Sequence, residues 1–108
     1  MVINDNSIGT AISKNKVPIR LTKERWLHIA DNHDYLAGMA DTVLETIAEP
    51  DIICKGDKDE LIAAKKHNNK YIVVPYKETN DKDGFVITAF ITSKINKVVK
   101  LGVIWKKQ

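Results

Sequence analysis

The stretch Thr22-Lys-Glu-Arg-Trp-Leu-His-Ile-Ala-Asp-Asn-His33 carries two of the three histidines of the chain, together with an arginine and a tryptophan. Thr22 is a good N-cap, and Glu24 lies near the positive end of the helix dipole that it would begin. The apolar residues of the stretch recur at helical spacing, which predicts a helix that runs to about Asn32 or His33. Because histidine titrates near neutral pH, this helix is a candidate for proton-transfer chemistry.

The two histidines of this helix are not expected to share a face. At about 100° per residue, His33 falls about 20° from Trp26 on the apolar stripe, whereas His28 falls about 160° from it. His33 is therefore predicted to face the rest of the fold and His28 to face solvent. A hydrogen-bonded packing residue and a solvated surface residue are the structural alternatives to catalytic roles for them.

Beyond this helix the pattern predicts a second helix and then a run of strands. Apolar residues recur at helical spacing from Met39 to Ala48, and Pro50 ends the pattern. From position 51 onward, short apolar runs alternate with turn-forming residues, as in strands. These runs are Asp51-Ile-Ile-Cys54, Leu61-Ile-Ala-Ala64, Tyr71-Ile-Val-Val-Pro-Tyr76, Phe85-Val-Ile-Thr-Ala-Phe-Ile91 and Val98-Val-Lys-Leu-Gly-Val-Ile-Trp105.

This order of elements predicts an α+β domain, with two N-terminal helices packed on a four- to five-stranded antiparallel sheet. The segment 80–84, Asn-Asp-Lys-Asp-Gly, is expected to join two antiparallel strands, with its glycine at positive φ. Residues 1–15 are interpreted as a loosely ordered lead-in and residues 16–108 as a single domain. The sheet face away from the helices would then be available for function.

The charge of the chain is unevenly distributed. Residues 1–60 carry 7 Lys/Arg against 11 Asp/Glu, whereas residues 61–108 carry 10 Lys against 3 acidic residues. A basic C-terminal part is typical of proteins that bind nucleic acid or another acidic partner, but also of lysines on solvated strand edges. Charge alone favours neither interpretation.

The single cysteine, Cys54, cannot form an internal disulfide, and no apolar run approaches the ~20 residues that a membrane-spanning helix needs. Residues 1–7 lack the basic and apolar regions of a signal peptide. We therefore expect a cytoplasmic protein with no membrane contact. Cys54 ends an apolar run and is interpreted as a small buried hydrophobe, not as a nucleophile.

Neither a metal nor a nucleotide cofactor is expected. His28 lies three positions before Asp31 and four before Asn32, but no His-Glu-x-x-His pattern and no second cysteine accompany them. None of the five glycines belongs to a Gly-x-Gly-x-x-Gly series.

Thr88 interrupts the apolar stretch from Phe85 to Ile91. Strand alternation puts its hydroxyl on the same face as Phe90, with Lys94 just beyond the strand. If that face is open, the three side chains would suit a phosphate and a base. A threonine in this setting is otherwise simply a good strand former.

The order of these motifs resembles that of one superfamily. Leu-Thr-Lys-Glu-Arg-Trp-Leu-His-Ile (21–29) with His33 is followed by Thr-Ile-Ala-Glu-Pro-Asp-Ile-Ile (46–53), Tyr71-Ile-Val-Val and Gly84-Phe-Val-Ile-Thr-Ala-Phe-Ile-Thr-Ser93. Across residues 19–105 the order looks like that of the phage-associated barnase/EndoU/colicin/RelE-like (BECR-fold) nuclease superfamily. The chain departs from the family pattern at Asp34-Tyr35, where a proline and an acidic residue are expected.

The resemblance implies a metal-independent endoribonuclease, toxin-like or associated with phages and mobile elements, that cleaves RNA by attack of the ribose 2′-hydroxyl. The catalytic residues that it implies are His33, His28 and Thr88. The cations that we expect to stabilise charge or bind RNA are Arg25, Lys77 and Lys94. The expected partners are RNA and an immunity or antitoxin protein, with no cofactor and with no oligomeric state indicated.

The alternative is a non-catalytic module on the same fold, which binds nucleic acid or another protein and uses both histidines for packing. Salt-dependent RNA affinity without cleavage would favour RNA binding, and no RNA affinity would favour a protein partner. The structural test is whether His28 or His33 shares an open concave surface with Thr88 and a lysine.

Overall fold

One sheet organises the structure, a computed structural model that describes residues 7–108. Its order is β1-β2-β6-β5-β4-β3-β8, and β7 pairs with β5 beyond the end of β6. The strands are β1 (Ser7–Ile12), β2 (Pro18–Thr22), β3 (Ile52–Lys55), β4 (Leu61–His67), β5 (Lys70–Asn80), β6 (Asp83–Val86), β7 (Phe90–Thr92) and β8 (Val103–Lys106). The helices are α1 (Lys23–Asn32), α2 (Ala40–Ala48) and α3 (Asn96–Val99), with a 3₁₀ helix (Asp34–Leu36) after α1.

The predicted layout of two helices on a four- to five-stranded antiparallel sheet is wrong, although the fold is a mixed α+β one. Within residues 7–108 the sheet has eight strands and the chain forms three α-helices. The pair β2–β6 is parallel, whereas the other strand pairs are antiparallel. Three local features account for the difference.

The first feature is strand β1, which lies inside the predicted lead-in of residues 1–15. Residues 1–6 lie outside the described part of the chain, but residues 7–12 pair with β2. Ala11 is buried in the core, and Leu44 of α2 lies against Gly9. The short, glycine-containing run gives a weak strand pattern, so tertiary contacts and not local propensity make it a strand.

The second feature is a break in the predicted strand from Phe85 to Ile91. The main-chain carbonyl of Pro75 in β5 accepts from the N–H groups of Ile87, at 2.9 Å, and of Thr88, at 3.4 Å. Because proline has no N–H, β5 offers an acceptor but no donor at this position, and the ladder is interrupted. The segment therefore forms β6 and β7 with an irregular connection, and Thr88 does not lie in a strand.

The third feature is α3, which occupies part of the predicted Val98–Trp105 strand. Its one buried residue, Val98, packs with Ile95 on the sheet face opposite to α1 and α2. A turn that ends at Gly102 (φ 113°) then leads into β8. Helix α3 thus covers part of the second sheet face, so less of this face is open than predicted.

Several local predictions are confirmed. Helix α1 ends at Asn32, and the side chain of its N-cap Thr22 accepts from Arg25 N at 3.1 Å. Helix α2 ends two residues before Pro50. The turn after Asn80 joins antiparallel strands as predicted, and the Asn80 side chain accepts from Lys82 N at 2.8 Å. The predicted positive φ of Gly84 is wrong, because Gly84 lies inside β6 and has extended geometry. No helix within residues 7–108 has the length and apolar character needed to cross a bilayer.

Candidate active site at the β7 edge

Helix α1 sends its two histidines in different directions, as its periodicity predicts. His28 is exposed, and the two depressions that include it are lined only by residues between positions 22 and 31. Arg25 lies beside His28 in the smaller one. The His28 main chain accepts a hydrogen bond from Asn32 Nδ2 at 3.1 Å. His28 and Arg25 therefore form a solvated pair on the outer side of α1.

His33 lies where α1 ends, and two other elements hold it. It has left helical geometry (φ −139°, ψ 73°), although its N–H still donates to Ile29 O at 2.8 Å. Its ring meets the Tyr35 ring edge-on, with centroids 5.6 Å apart, and lies 6.4 Å from the Phe90 ring of β7. His33 is half-buried and is fixed at the edge of the sheet.

Tyr35, in the 3₁₀ helix, is the hydrogen-bond partner of the His33 ring. Its hydroxyl lies 3.0 Å from His33 Nδ1 and accepts a long hydrogen bond, at 3.4 Å, from Ile91 N. If the phenol donates to Nδ1, the neutral imidazole carries its proton on Nε2; if Nδ1 donates, the Nε2 lone pair is free to accept a proton. With Nδ1 as the donor to the phenol oxygen, Nε2 can accept a proton when the ring is neutral and give it up when the ring is charged, so the contact is compatible with both protonation states of an acid–base histidine.

The third histidine, His67, lies in the same surface region as Tyr35. A depression of about 460 Å³, here called the Tyr35 depression, is lined by Tyr35, Met39, Ile91 and the β4–β5 hairpin residues 67–70. The hairpin is tight because His67 pairs directly with Lys70, and Asn68 adopts a positive φ of 56°. Tyr35 thus belongs both to this depression and to the His33 contact.

Among residues 7–108, the lining of the Tyr35 depression contains one lysine, Lys70, and no acidic residue. The hairpin segment 65–70, to which Lys70 belongs, reads Lys-Lys-His-Asn-Asn-Lys. Lys65 donates to the Glu49 main chain at 2.8 Å, whereas Lys70 makes no side-chain hydrogen bond or ion pair with residues 7–108. An unpaired ammonium group of this kind attracts anions such as phosphate.

Thr88 makes no hydrogen bond to His33. It is half-buried in the connection between β6 and β7, two residues before Phe90, whose ring contacts His33. The predicted mid-strand hydroxyl beside Phe90 is therefore wrong, since the break at Pro75 changes the alternation before the next strand begins.

The two predicted lysines lie in different surroundings from the histidines. Lys77 is half-buried in β5 opposite Phe85, and strand alternation places it on the face of Val73, where α3 also packs. Lys94 is exposed after β7, and its N–H donates to Thr92 Oγ1 at 2.9 Å. The six predicted residues thus occupy three regions: the outer side of α1, the β7 edge, and the second sheet face with the loop after β7.

Two other reactive side chains are buried outside this site. Cys54 is fully buried, as predicted, and burial raises the pKa of its thiol. Burial, with a smaller contribution from Glu78, raises the pKa of the Tyr76 phenol well above its usual range. Neither group ionises readily at neutral pH. Among residues 7–108, no three His, Cys, Asp or Glu side chains cluster as metal ligands would.

Sequence reasoning missed four residues of this region, namely Tyr35, His67, Asn69 and Lys70. The sequence shows a turn at 67–69, but only the 3₁₀ helix and the strand pairing bring that turn to Tyr35. Comparison with protein-family models, curated proteins and solved structures finds no match.

Proposed function

We propose that the protein is a metal-independent endoribonuclease in which His33 transfers protons at the rim of the Tyr35 depression. The observation that carries the proposal is the His33–Tyr35 contact, at 3.0 Å, since Tyr35 also lines a depression with a second histidine, His67, and a lysine, Lys70. Two histidines and a cation are sufficient, in chemical terms, for phosphodiester transfer. The ordered motifs that resemble the BECR-fold nucleases support the same reaction.

The proposed reaction is an internal transfer within RNA. A base takes the proton from the ribose 2′-hydroxyl, and the 2′-oxygen forms a bond to the adjacent phosphorus. The bond from phosphorus to the 5′-oxygen breaks, and an acid gives that oxygen a proton. The products are a 2′,3′-cyclic phosphate and a free 5′-hydroxyl.

The residues divide between these roles according to position. His33 is one proton-transfer group, and Tyr35 positions its ring. His67 is the second such group, since it lines the depression that Tyr35 lines, whereas His28 lies on the outer side of α1. Lys70 stabilises charge on the phosphate, as a cation does in a transition state of this kind.

Thr88 and Lys94, near the two ends of β7, are proposed to bind neighbouring phosphates. Lys77 and Arg25 are more distant RNA contacts in this proposal. An endoribonuclease of this kind would act on cytoplasmic RNA and, if toxin-like, would require an immunity or antitoxin protein.

The test is cleavage of mixed single-stranded RNA by purified protein in the presence of EDTA. We expect wild-type protein to produce 2′,3′-cyclic phosphate and 5′-hydroxyl ends. His33→Ala should lower the cleavage rate by about 100-fold or more, the range for loss of a general acid or base. Circular dichroism establishes that each variant is folded. Intact RNA with folded wild-type protein would contradict the proposal, and so would His33-independent cleavage.

One observation favours a second candidate, a non-catalytic RNA-binding module. Phe85 and Phe90 are half-buried, and Lys77 lies opposite Phe85. Aromatic rings beside cations bind single-stranded RNA by stacking and charge. Salt-dependent RNA binding without cleavage, weakened by Phe85→Ala, would select this candidate.

A further inference from the structure

The Tyr35 depression has the size and lining of a small-molecule site. Its volume of about 460 Å³ lies within the range of pockets that hold small ligands. One side of its lining comes from Tyr35, Met39 and Ile91, which offer an aromatic ring, a thioether and an aliphatic chain. The other comes from the hairpin residues 67–70, which offer an imidazole, two amides and an ammonium group. The ligand that fits has a flat apolar body and a polar edge.

The polar side chains of the hairpin are not engaged by the fold. Within residues 7–108, His67, Asn69 and Lys70 make no side-chain hydrogen bond or ion pair. An amide such as Asn69 can donate and accept at once, which suits the edge of a nucleobase. The ammonium group of Lys70 suits the phosphate attached to it. The fold therefore presents these groups at the surface without using them for its own stability.

Tyr35 connects this depression to the proposed proton-transfer group. The Tyr35 hydroxyl contacts the His33 ring, and the Tyr35 side chain also lines the depression. Tyr35 is 50% exposed, so part of its ring remains accessible for stacking. A base seated against Tyr35 would hold the attached ribose and phosphate near His33. This juxtaposition matches the way proteins read unstacked bases of single-stranded RNA, by stacking and by hydrogen bonds to base edges.

We infer that the Tyr35 depression is a nucleobase subsite for single-stranded RNA, with Asn69 contacting the base edge and Lys70 the phosphate. The inference rests on the proposed function for its place in catalysis, but its binding chemistry can be measured separately. The subsite gives the enzyme a base preference, since Asn69 pairs differently with purine and pyrimidine edges.

The experiment follows backbone amides by two-dimensional NMR during titration with adenosine 3′-monophosphate and uridine 3′-monophosphate. We expect shifts at residues 35, 39, 67–70 and 91, and different affinities for the two nucleotides. Adenosine or uridine without phosphate should perturb the same amides more weakly. Shifts produced equally by inorganic phosphate, with none from either nucleoside, would overturn the inference, because they would indicate an anion site only.

Variants test whether Asn69 contacts the base edge. Asn69→Ala should weaken binding of the preferred nucleotide at least fivefold and reduce the difference between the two nucleotides. Asn96→Ala removes an exposed amide from α3 and serves as the matched control, with affinity unchanged. Asn68 is avoided because its φ of 56° makes alanine strained there. Unchanged affinity and unchanged selectivity in folded Asn69→Ala would overturn the inference.

The two proposals can fail separately. Nucleotide binding at these amides with no RNA cleavage would overturn the proposed function and leave the subsite in place. His33-dependent cleavage with no nucleoside binding, and with the same cleavage pattern in Asn69→Ala, would overturn the subsite and leave the function in place.

Discussion

The outer side of α1 and its C-terminal end differ in what surrounds them. On the outer side, His28 and Arg25 lie in depressions lined only by residues 22–31. At the C-terminal end, His33 contacts Tyr35 of the 3₁₀ helix and Phe90 of β7. Each region contains a histidine, but only His33 is held by other elements.

This difference shows that two histidines of one short sequence motif need not contribute to the same site. Five positions along a helix rotate a side chain through more than one turn, so His28 and His33 point to different sides. The histidine that lines the same depression as Tyr35, the hydrogen-bond partner of His33, is His67 of β4, far along the chain from α1. The predictions below separate these two regions.

The largest expected difference is between two histidine variants. His67→Ala should lower the RNA cleavage rate by about 100-fold, because it removes a proton-transfer group from the Tyr35 depression. His28→Ala, at the outer side of α1, should change the rate by less than about twofold. Single-turnover rates of both folded variants provide the measurement. A larger loss in His28→Ala than in His67→Ala would reverse the comparison.

The next effect concerns the hydrogen bond that holds His33. Tyr35→Phe keeps the ring and removes the hydroxyl, so we expect about a tenfold lower cleavage rate, since one hydrogen bond contributes about 1 to 1.5 kcal/mol. The loss should appear in kcat and in the pH profile of kcat, because the tautomer and orientation of His33 are affected.

Tyr71→Phe is the matched control, since it removes a hydroxyl from the β5 strand that makes no hydrogen bond within residues 7–108. Its kcat and pH profile should equal those of the wild type. An unchanged kcat and pH profile in Tyr35→Phe would show that the 3.0 Å contact does not position His33 for chemistry.

The sequence predicted both helices of this region well because their determinants are local. The Thr22 cap, the spacing of apolar residues and the stop at Pro50 act within a few residues. Helical periodicity alone also separates His28 from His33. These parts of the fold depend on residues that are close in sequence, so one amino-acid sequence is sufficient to predict them.

The strands and the candidate site could not be predicted in the same way. The break at Thr88 depends on Pro75, a residue of another strand that lacks an N–H at one position of the ladder. The parallel pair of β2 and β6 depends on which strand edge remains free after the β5–β6 hairpin forms. Likewise, the meeting of Tyr35 with the hairpin at His67 depends on tertiary packing.

A stability effect tests whether the two ends of α1 are independent. Thr22→Ala removes the N-cap hydrogen bond to Arg25 N and should lower the free energy of unfolding by about 1 kcal/mol. The kcat of the folded variant should not change, because Tyr35 and Phe90 hold His33 at the other end. Urea denaturation and cleavage assays measure the two quantities. Thr22→Ser keeps the hydroxyl and should recover most of the stability, and a large fall in kcat for Thr22→Ala would show that the ends are coupled.

The smallest effect concerns an ion pair outside both regions, which separates the pH dependence of stability from that of catalysis. Arg20 Nε donates to Asp83 Oδ1 at 2.9 Å, and Nη2 donates to Oδ2 at 3.1 Å. The hydrogen bond from Arg20 holds the pKa of the Asp83 carboxyl below its usual value. A carboxyl with a lower pKa in the folded chain stabilises the fold above its unfolded pKa, and this stability is lost as the pH falls through the folded pKa.

Asp83→Asn should therefore be slightly less stable than wild type at pH 7 and equally stable in acid below the folded pKa of Asp83, as measured by urea denaturation. Asp57→Asn, an exposed substitution in the β3–β4 turn, should match the wild type at both pH values. An equal loss for Asp83→Asn at both pH values would mean that packing, and not charge, explains it. If the pH profile of cleavage by Asp83→Asn then matches that of the wild type, this ion pair does not contribute to the pH dependence of catalysis.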